Sequence, residues 1–155
     1  MASSKWLSVR SWWFEDRSKR CQNMEFVKGF RDLEVYKLAR QLSKEIFDIS
    51  MKFPREETYS LTDQVRRSSR SVGAQIAEAW GKRRYQKHFV SKLTDAVGEE
   101  LETQHWIQAA QDCAYLSPEI STRLLEQYDT LGKMLNSMIS KSASFCGKSA
   151  PPNLI

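Results

Sequence analysis

No apolar run in this 155-residue chain approaches the ~18 residues of a membrane-spanning helix, so no span is expected. The start is basic and rich in tryptophan. It has no apolar stretch of ~7–15 residues and is not read as a secretory signal. Cysteine is scarce: Cys21, Cys113 and Cys146 are widely spaced and form no CxxC pair. That spacing supports neither a disulfide framework nor a zinc site, and a cytoplasmic setting is expected. Cys113 reads most simply as a small core residue. The two histidines, His88 and His105, are seventeen residues apart and form no HExxH. GxxxxGK, GxGxxG and nucleophile-elbow motifs are all missing. No catalytic, cofactor-binding or metal site is assigned, and the chain is not expected to be an enzyme. With 6 glycines and 4 prolines, long uninterrupted elements are expected. No segment alternates as a strand would.

What remains is helical periodicity. Asp32 is a good N-cap for a first helix running to about Lys52. Val35, Ala39, Leu42, Ile46, Ile49 and Phe53 form its heptad-like seam, widened by Leu38 and Phe47. Pro54 stops it. A second helix runs from about Ser60 to Trp80, with Gly81 as the stop. A third runs from about Gln86 to Ala114, burying Phe89, Leu93, Ala96, Val97, Leu101, Ile107 and Ala110. Its outer face carries Asp95, Glu99, Glu100 and Glu102. Ser117, Pro118 and Glu119 supply a cap, a proline and a first-turn acid for a fourth helix. Its stripe is Ile120, Leu124, Tyr128, Leu131, Leu135 and Met138. The predicted fold class is all-α, an antiparallel up-down-up-down four-helix bundle over residues 30–140. Residues 1–29 read as a non-core extension and 141–155 as a flexible tail.

The net charge of +5 is unevenly spread. Residues 54–88 carry eight Lys and Arg against four acids; residues 89–130 carry two against eight. On the second helix Leu61, Val65, Val72, Ile76, Ala79 and Trp80 fall in one arc of about 100°. Arg66, Arg67 and Arg70 fill the adjoining arc. The turn GKRRYQ adds Lys82, Arg83 and Arg84, and Lys87 follows. This is a candidate nucleic-acid-binding surface, because the guanidinium fork meets phosphate bidentately. The same arginines could be a solvated face, or could pair with acids on the third helix or on a neighbouring subunit. Glu78 reads as a salt-bridge partner for one of them. Tyr59, Tyr85, Trp80 and Trp106 could stack on bases, with packing as the default. Gly73, Ala74 and Ala77 would let another helix approach closely.

The phrases FRDLEVYKLA, FPREETYSLTDQVRRSSRSVGAQIAEAWGK and FVSKLTDAVGEELETQHWIQAA resemble the 23S rRNA intervening-sequence protein family. The most specific part is Tyr59-x-Leu61, Gln64, Arg66-Arg67, Ser71 and Ile76-Ala77-Glu78. Ala79 and Gln75 stand where the family usually has glycine and asparagine. The resemblance covers about Phe30 to Ser140. It implies a bacterial four-helix bundle assembling as a ring-like homo-oligomer, a pentamer, with RNA or DNA as possible ligand. The family is also similar to the accessory variability determinant of diversity-generating retroelements. That likeness implies a protein-docking alternative, with a reverse transcriptase or ribosomal component as partner. Family members usually begin shortly before FRDL, which makes Met24 a candidate native start and residues 1–23 upstream sequence.

Overall fold

The computed structural model of the chain describes residues 27–147. The Met24 start, nearly all of the expected extension and the end of the expected tail lie outside the described residues. Four long helices dominate: α1 (Glu34–Ser50), α2 (Leu61–Lys82), α3 (Gln86–Asp112) and α4 (Pro118–Ser140). A single-turn α5 (Ser142–Phe145) follows, and 3-10 turns cover Phe30–Asp32 and Arg55–Glu57. No strand occurs among the described residues.

The caps differ in detail from the sequence expectation. Asp32 does not start α1. Its carboxylate accepts the N–H groups of Lys28 at 3.1 Å and Gly29 at 3.0 Å, closing the preceding 3-10 turn. The α1 cap falls to Leu33 without a side-chain bond. Glu57 serves the start of α2, accepting the Leu61 N–H at 3.3 Å, the Ser60 hydroxyl and the Tyr115 hydroxyl. Those bonds hold its pKa below the ordinary carboxylate range, the Ser60 hydroxyl contributing most. Gly81 does not stop α2: it is not left-handed, the helix runs on to Lys82, and Arg83 Nη1 donates to the Trp80 carbonyl at 2.7 Å. At the end of α3, Ala114 takes the left-handed conformation at φ 58°. The Tyr115 N–H then donates to the Ala110 oxygen at 2.8 Å and the Ala114 N–H to the Gln111 oxygen at 2.9 Å, a Schellman closure. This reversal leaves Cys113 exposed rather than in the core. Ser117 caps α4 as expected, accepting the Ile120 N–H at 3.3 Å.

Contacts between helices run in opposite chain directions. Ser68 meets Thr103 while Gln75 meets Lys92. Phe47 lies under Arg66 while Tyr36 faces Gly73. Gly132 meets Glu100 while Ser142 meets Gln86. The core holds Val35, Ala39, Leu42 and Ile46 from α1, and Val65, Val72, Ile76 and Ala79 from α2. From α4 come Leu124, Tyr128, Leu131, Leu135 and Met138.

α3 corrects the sequence reading in two places. Its buried face is Phe89, Leu93, Ala96, Glu100, Thr103, Ile107 and Ala110, an unbroken alternation of 4 and 3. Leu101, expected inside, is 57% exposed, and Glu100, expected outside, is 2% exposed. Gly132 makes room for the Glu100 carboxyl, and Gln104 donates to it. Burial raises its pKa. The neighbouring Tyr128 hydroxyl has no hydrogen-bond partner among the described residues, and burial raises its pKa as well.

Candidate nucleic-acid interface

The seven basic residues singled out from the sequence fall into two groups. Arg66, Arg67 and Arg70 lie in the first half of α2. Lys82, Arg83, Arg84 and Lys87 surround the turn into α3. At 1.5 Å per residue, the 12 positions from Arg70 to Lys82 separate the groups by about 18 Å along the helix.

In the first group Arg66 is half-buried, while Arg67 and Arg70 are exposed. The guanidinium carbons of Arg66 and Arg70 stand 4.8 Å and 5.7 Å from the Phe47 ring centroid. Arg66 Nε also donates to the buried Ser50 hydroxyl at 2.7 Å. Phe47 widens the apolar face of α1, and the two arginines cover it. Arg67 points the other way. It stands 3.9 Å from Asp63 one turn earlier, and its charge offsets part of the upward pKa shift that burial gives Glu99 on α3.

The second group is differently placed. Arg83 is half-buried, its guanidinium 4.2 Å above the Trp80 ring. Lys82, Arg84 and Lys87 are exposed. None of the four has a carboxylate within salt-bridge distance among the described residues. No acid occurs between Glu78 and Asp95 in the chain. Both of those acids are held by Lys92, whose Nζ lies 3.0 Å from Glu78 and 3.3 Å from Asp95. Lys92 also donates to Gln75 at 3.2 Å. The carboxylate bonds raise the Lys92 pKa, Glu78 contributing most, so it stays charged. Glu78 is thus a salt-bridge residue, with a lysine rather than an arginine as its partner. The pairing ties α2 to α3 and occupies the two acids nearest in sequence to the turn.

Beside the turn lies a cleft of about 510 Å³, lined by Arg84, Tyr85, Gln86, Lys87 and His88, with Ala143, Cys146 and Gly147 opposite. Tyr85 is 58% exposed there. In the sequence Tyr85 stands out only as an aromatic able to stack, and nothing there links it to Cys146, which is distant in the chain. The signal for that connection lies in the packing of α5. Gln86 Nε2 bonds Ser142 Oγ at 2.9 Å, and Phe89 stacks on Phe145 with centroids 5.9 Å apart. Among the described residues no group of three or more His, Cys, Asp and Glu is arranged to hold a metal ion. No described helix is long and apolar enough to cross a membrane.

The sequence pattern of the 23S rRNA-intervening sequence protein family matches residues 31–137. The chain belongs to this family. The match runs through all four long helices and includes both basic groups. The fold is similar to a crystal structure, at 1.70 Å resolution, of a protein of unknown function from the S23 ribosomal protein family of Bacteroides thetaiotaomicron VPI-5482. The two are 24% identical with a TM-score of 0.63, over 69% of this chain and 96% of the other. At that identity the likeness speaks for the fold. No curated protein matches the sequence.

Proposed function

We propose that this member of the 23S rRNA-intervening sequence protein family is a non-enzymatic nucleic-acid-binding protein, with RNA as its principal ligand. One observation carries the reading: Lys82, Arg83, Arg84 and Lys87 have no carboxylate partner among the described residues, while Lys92 holds the acids nearest them in sequence. Unlike Arg66, which is half-buried on Phe47 and bonded to Ser50, the exposed Lys82, Arg84 and Lys87 are free to meet phosphate, and the exposed Arg67 and Arg70 extend the same charge along α2. The ribosomal label of the similar crystal structure fits an RNA setting. The antiparallel order of helix contacts supports an up-down-up-down bundle. Family resemblance supports its assembly into a ring-like pentamer, which would repeat the turn by symmetry and multiply the phosphate contacts. The exposed Leu101 favours a protein contact on α3. Another copy of the chain would satisfy it, and so would a partner such as a reverse transcriptase or ribosomal component.

A mobility-shift titration against structured RNA and duplex DNA, repeated from about 50 mM to 200 mM salt, tests the proposal. Binding should weaken steeply with salt. The variant Lys82→Ala/Arg84→Ala/Lys87→Ala should lower the slope of log K against log salt by about 2–3, since each phosphate contact contributes about 0.7–0.9. Arg83 is left in place because it supports Trp80. No binding to either nucleic acid at 50 mM salt would overturn the reading.

A further inference from the structure

The cleft beside the α2–α3 turn combines features that a plain phosphate-binding surface does not need. A face that only tracked a duplex backbone would need cations but no cleft of small-molecule size and no aromatic ring in it. Here Arg84 and Lys87 border a concave space of about 510 Å³, within the usual ~300–1,000 Å³ of small-molecule sites. An exposed aromatic ring, Tyr85, stands in it. The Arg84 guanidinium lies 5.7 Å from the Tyr85 centroid, and the His88 ring lies 5.6 Å away at 52°. A cation, a phenol and an imidazole therefore share one wall. The opposite wall is anchored by the Gln86–Ser142 hydrogen bond and the Phe89–Phe145 stack. A second cleft of about 420 Å³ adjoins it, lined by Gln86, Lys87, Val90 and Ser91. It is shallower than the first, and Lys87 borders both, which puts a cation at their junction.

We infer that this cleft takes an unpaired nucleotide of single-stranded nucleic acid, its base against the Tyr85 ring and its phosphate between Arg84 and Lys87. The inference rests on the nucleic-acid reading above and narrows it. In the interior of a duplex each base is stacked on both faces and cannot reach Tyr85. An unpaired base offers its face to the ring, and stacking of this kind tolerates any base. The 420 Å³ cleft then receives the adjacent nucleotide, with Lys87 at the phosphate between them.

Fluorescence anisotropy with a labelled ten-nucleotide single-stranded RNA, its DNA equivalent and the matching duplexes tests this. The intact protein should prefer the single strands. Tyr85→Ala should weaken single-strand binding by about tenfold and leave duplex binding unchanged. Tyr85→Phe should retain single-strand affinity, because the ring and not the hydroxyl carries the contact. The duplex arm also reports whether the variant is folded. If Tyr85→Ala binds the single strand as well as the intact protein does, while Lys82→Ala/Arg84→Ala/Lys87→Ala does not, the nucleic-acid reading stands and the base-stacking cleft is refuted. If nothing binds at 50 mM salt, both fall.

Discussion

Two glycines in helix interiors should respond oppositely to the same substitution. At Gly98 of α3, a methyl group would meet nothing within 4 Å. At Gly132 of α4, the methyl would stand 3.0 Å from Glu100 Oε2 and 3.3 Å from its Cδ. Alanine in a helix interior contributes about 1 kcal/mol over glycine, so Gly98→Ala should gain about that much. At Gly132 the gain meets an overpacking cost of about 1–3 kcal/mol. The Glu100 carboxyl cannot simply swing away, because the residue is 2% exposed and Gln104 holds its other oxygen. Gly132→Ala should therefore range from neutral to a loss of about 2 kcal/mol. Urea unfolding followed by circular dichroism resolves the difference, and a double-mutant cycle assigns its cause. With Glu100→Ala as background the obstruction is gone, and Gly132→Ala should recover its gain of about 1 kcal/mol. If Gly132→Ala stabilises the intact protein as much as Gly98→Ala does, Glu100 is not pinned against α4 and the account of the core is wrong.

The remaining predictions concern charge and caps. Glu100 has its pKa raised by burial, so its contribution to stability is fully present below the unfolded value of 4.5 and is lost as pH rises through the folded value. Glu100→Gln should flatten that loss, read as the unfolding midpoint against pH. Glu57 is the opposite case: its pKa is lowered, so its contribution is present above 4.5 and lost as pH falls through the folded value. Glu57→Gln should flatten the acid side instead, and identical profiles for the two variants would contradict both assignments. Arg66→Lys should cost about 1–2 kcal/mol in urea unfolding, because an ammonium reproduces neither the packing on Phe47 nor the Nε bond to Ser50. A cost near zero would return Arg66 to the set of free cations. Ala114→Gly should raise stability by about 1 kcal/mol, since glycine adopts the left-handed conformation without a Cβ clash. A destabilised Ala114→Gly would show that the strain has been misplaced.

Helix existence and most of the apolar seams were legible in the chain because four periodic stripes are separated by strong punctuation, above all Pro54 and Ser117-Pro118. The failures have physical causes. Glu100 reads as an outer residue because charged side chains are rarely buried, and its apolar neighbour Leu101 reads as an inner one. Extending the alternation of 4 and 3 from Phe89 would have put 100 and 103 on the seam. Thr103 shows how polar residues fit there: its hydroxyl lies 2.9 Å from Ser68 Oγ across the α2–α3 contact. Gly81 reads as a stop only if it turns left-handed, and it does not: α2 continues through it to Lys82. The candidate interface was only partly legible. Wheel positions brought Arg66, Arg67 and Arg70 together, but a wheel cannot show that Phe47 of another helix lies beneath two of them. Nor could it place Cys146 opposite Tyr85.

The acidic composition of residues 89–130 suggested a protein partner for the basic block, within the fold or on another copy. Within the fold five of the eight acids of this stretch are engaged, while Asp112, Glu119 and Glu126 have no salt-bridge partner among the described residues. Glu100 is withdrawn into the core. Asp95 is taken by Lys92 and Asp129 by Lys133, at 3.3 Å and 2.7 Å. Glu102 accepts the Trp106 indole N–H at 3.1 Å, and Glu99 lies within the field of Arg67. The acids of α3 that do meet the basic block meet it through Arg67, in the first half of α2. The turn is left out, because the nearest acids in its sequence, Glu78 and Asp95, share the ammonium of Lys92. Surface charges interact weakly beyond a Debye length of about 8 Å at physiological salt, so acids farther along α3 do little to offset Lys82, Arg84 and Lys87. Among the α2 arginines, Arg66 is built into the bundle through Phe47 and Ser50, whereas Arg67 and Arg70 stay exposed. The cations of the turn have no carboxylate within salt-bridge distance among the described residues.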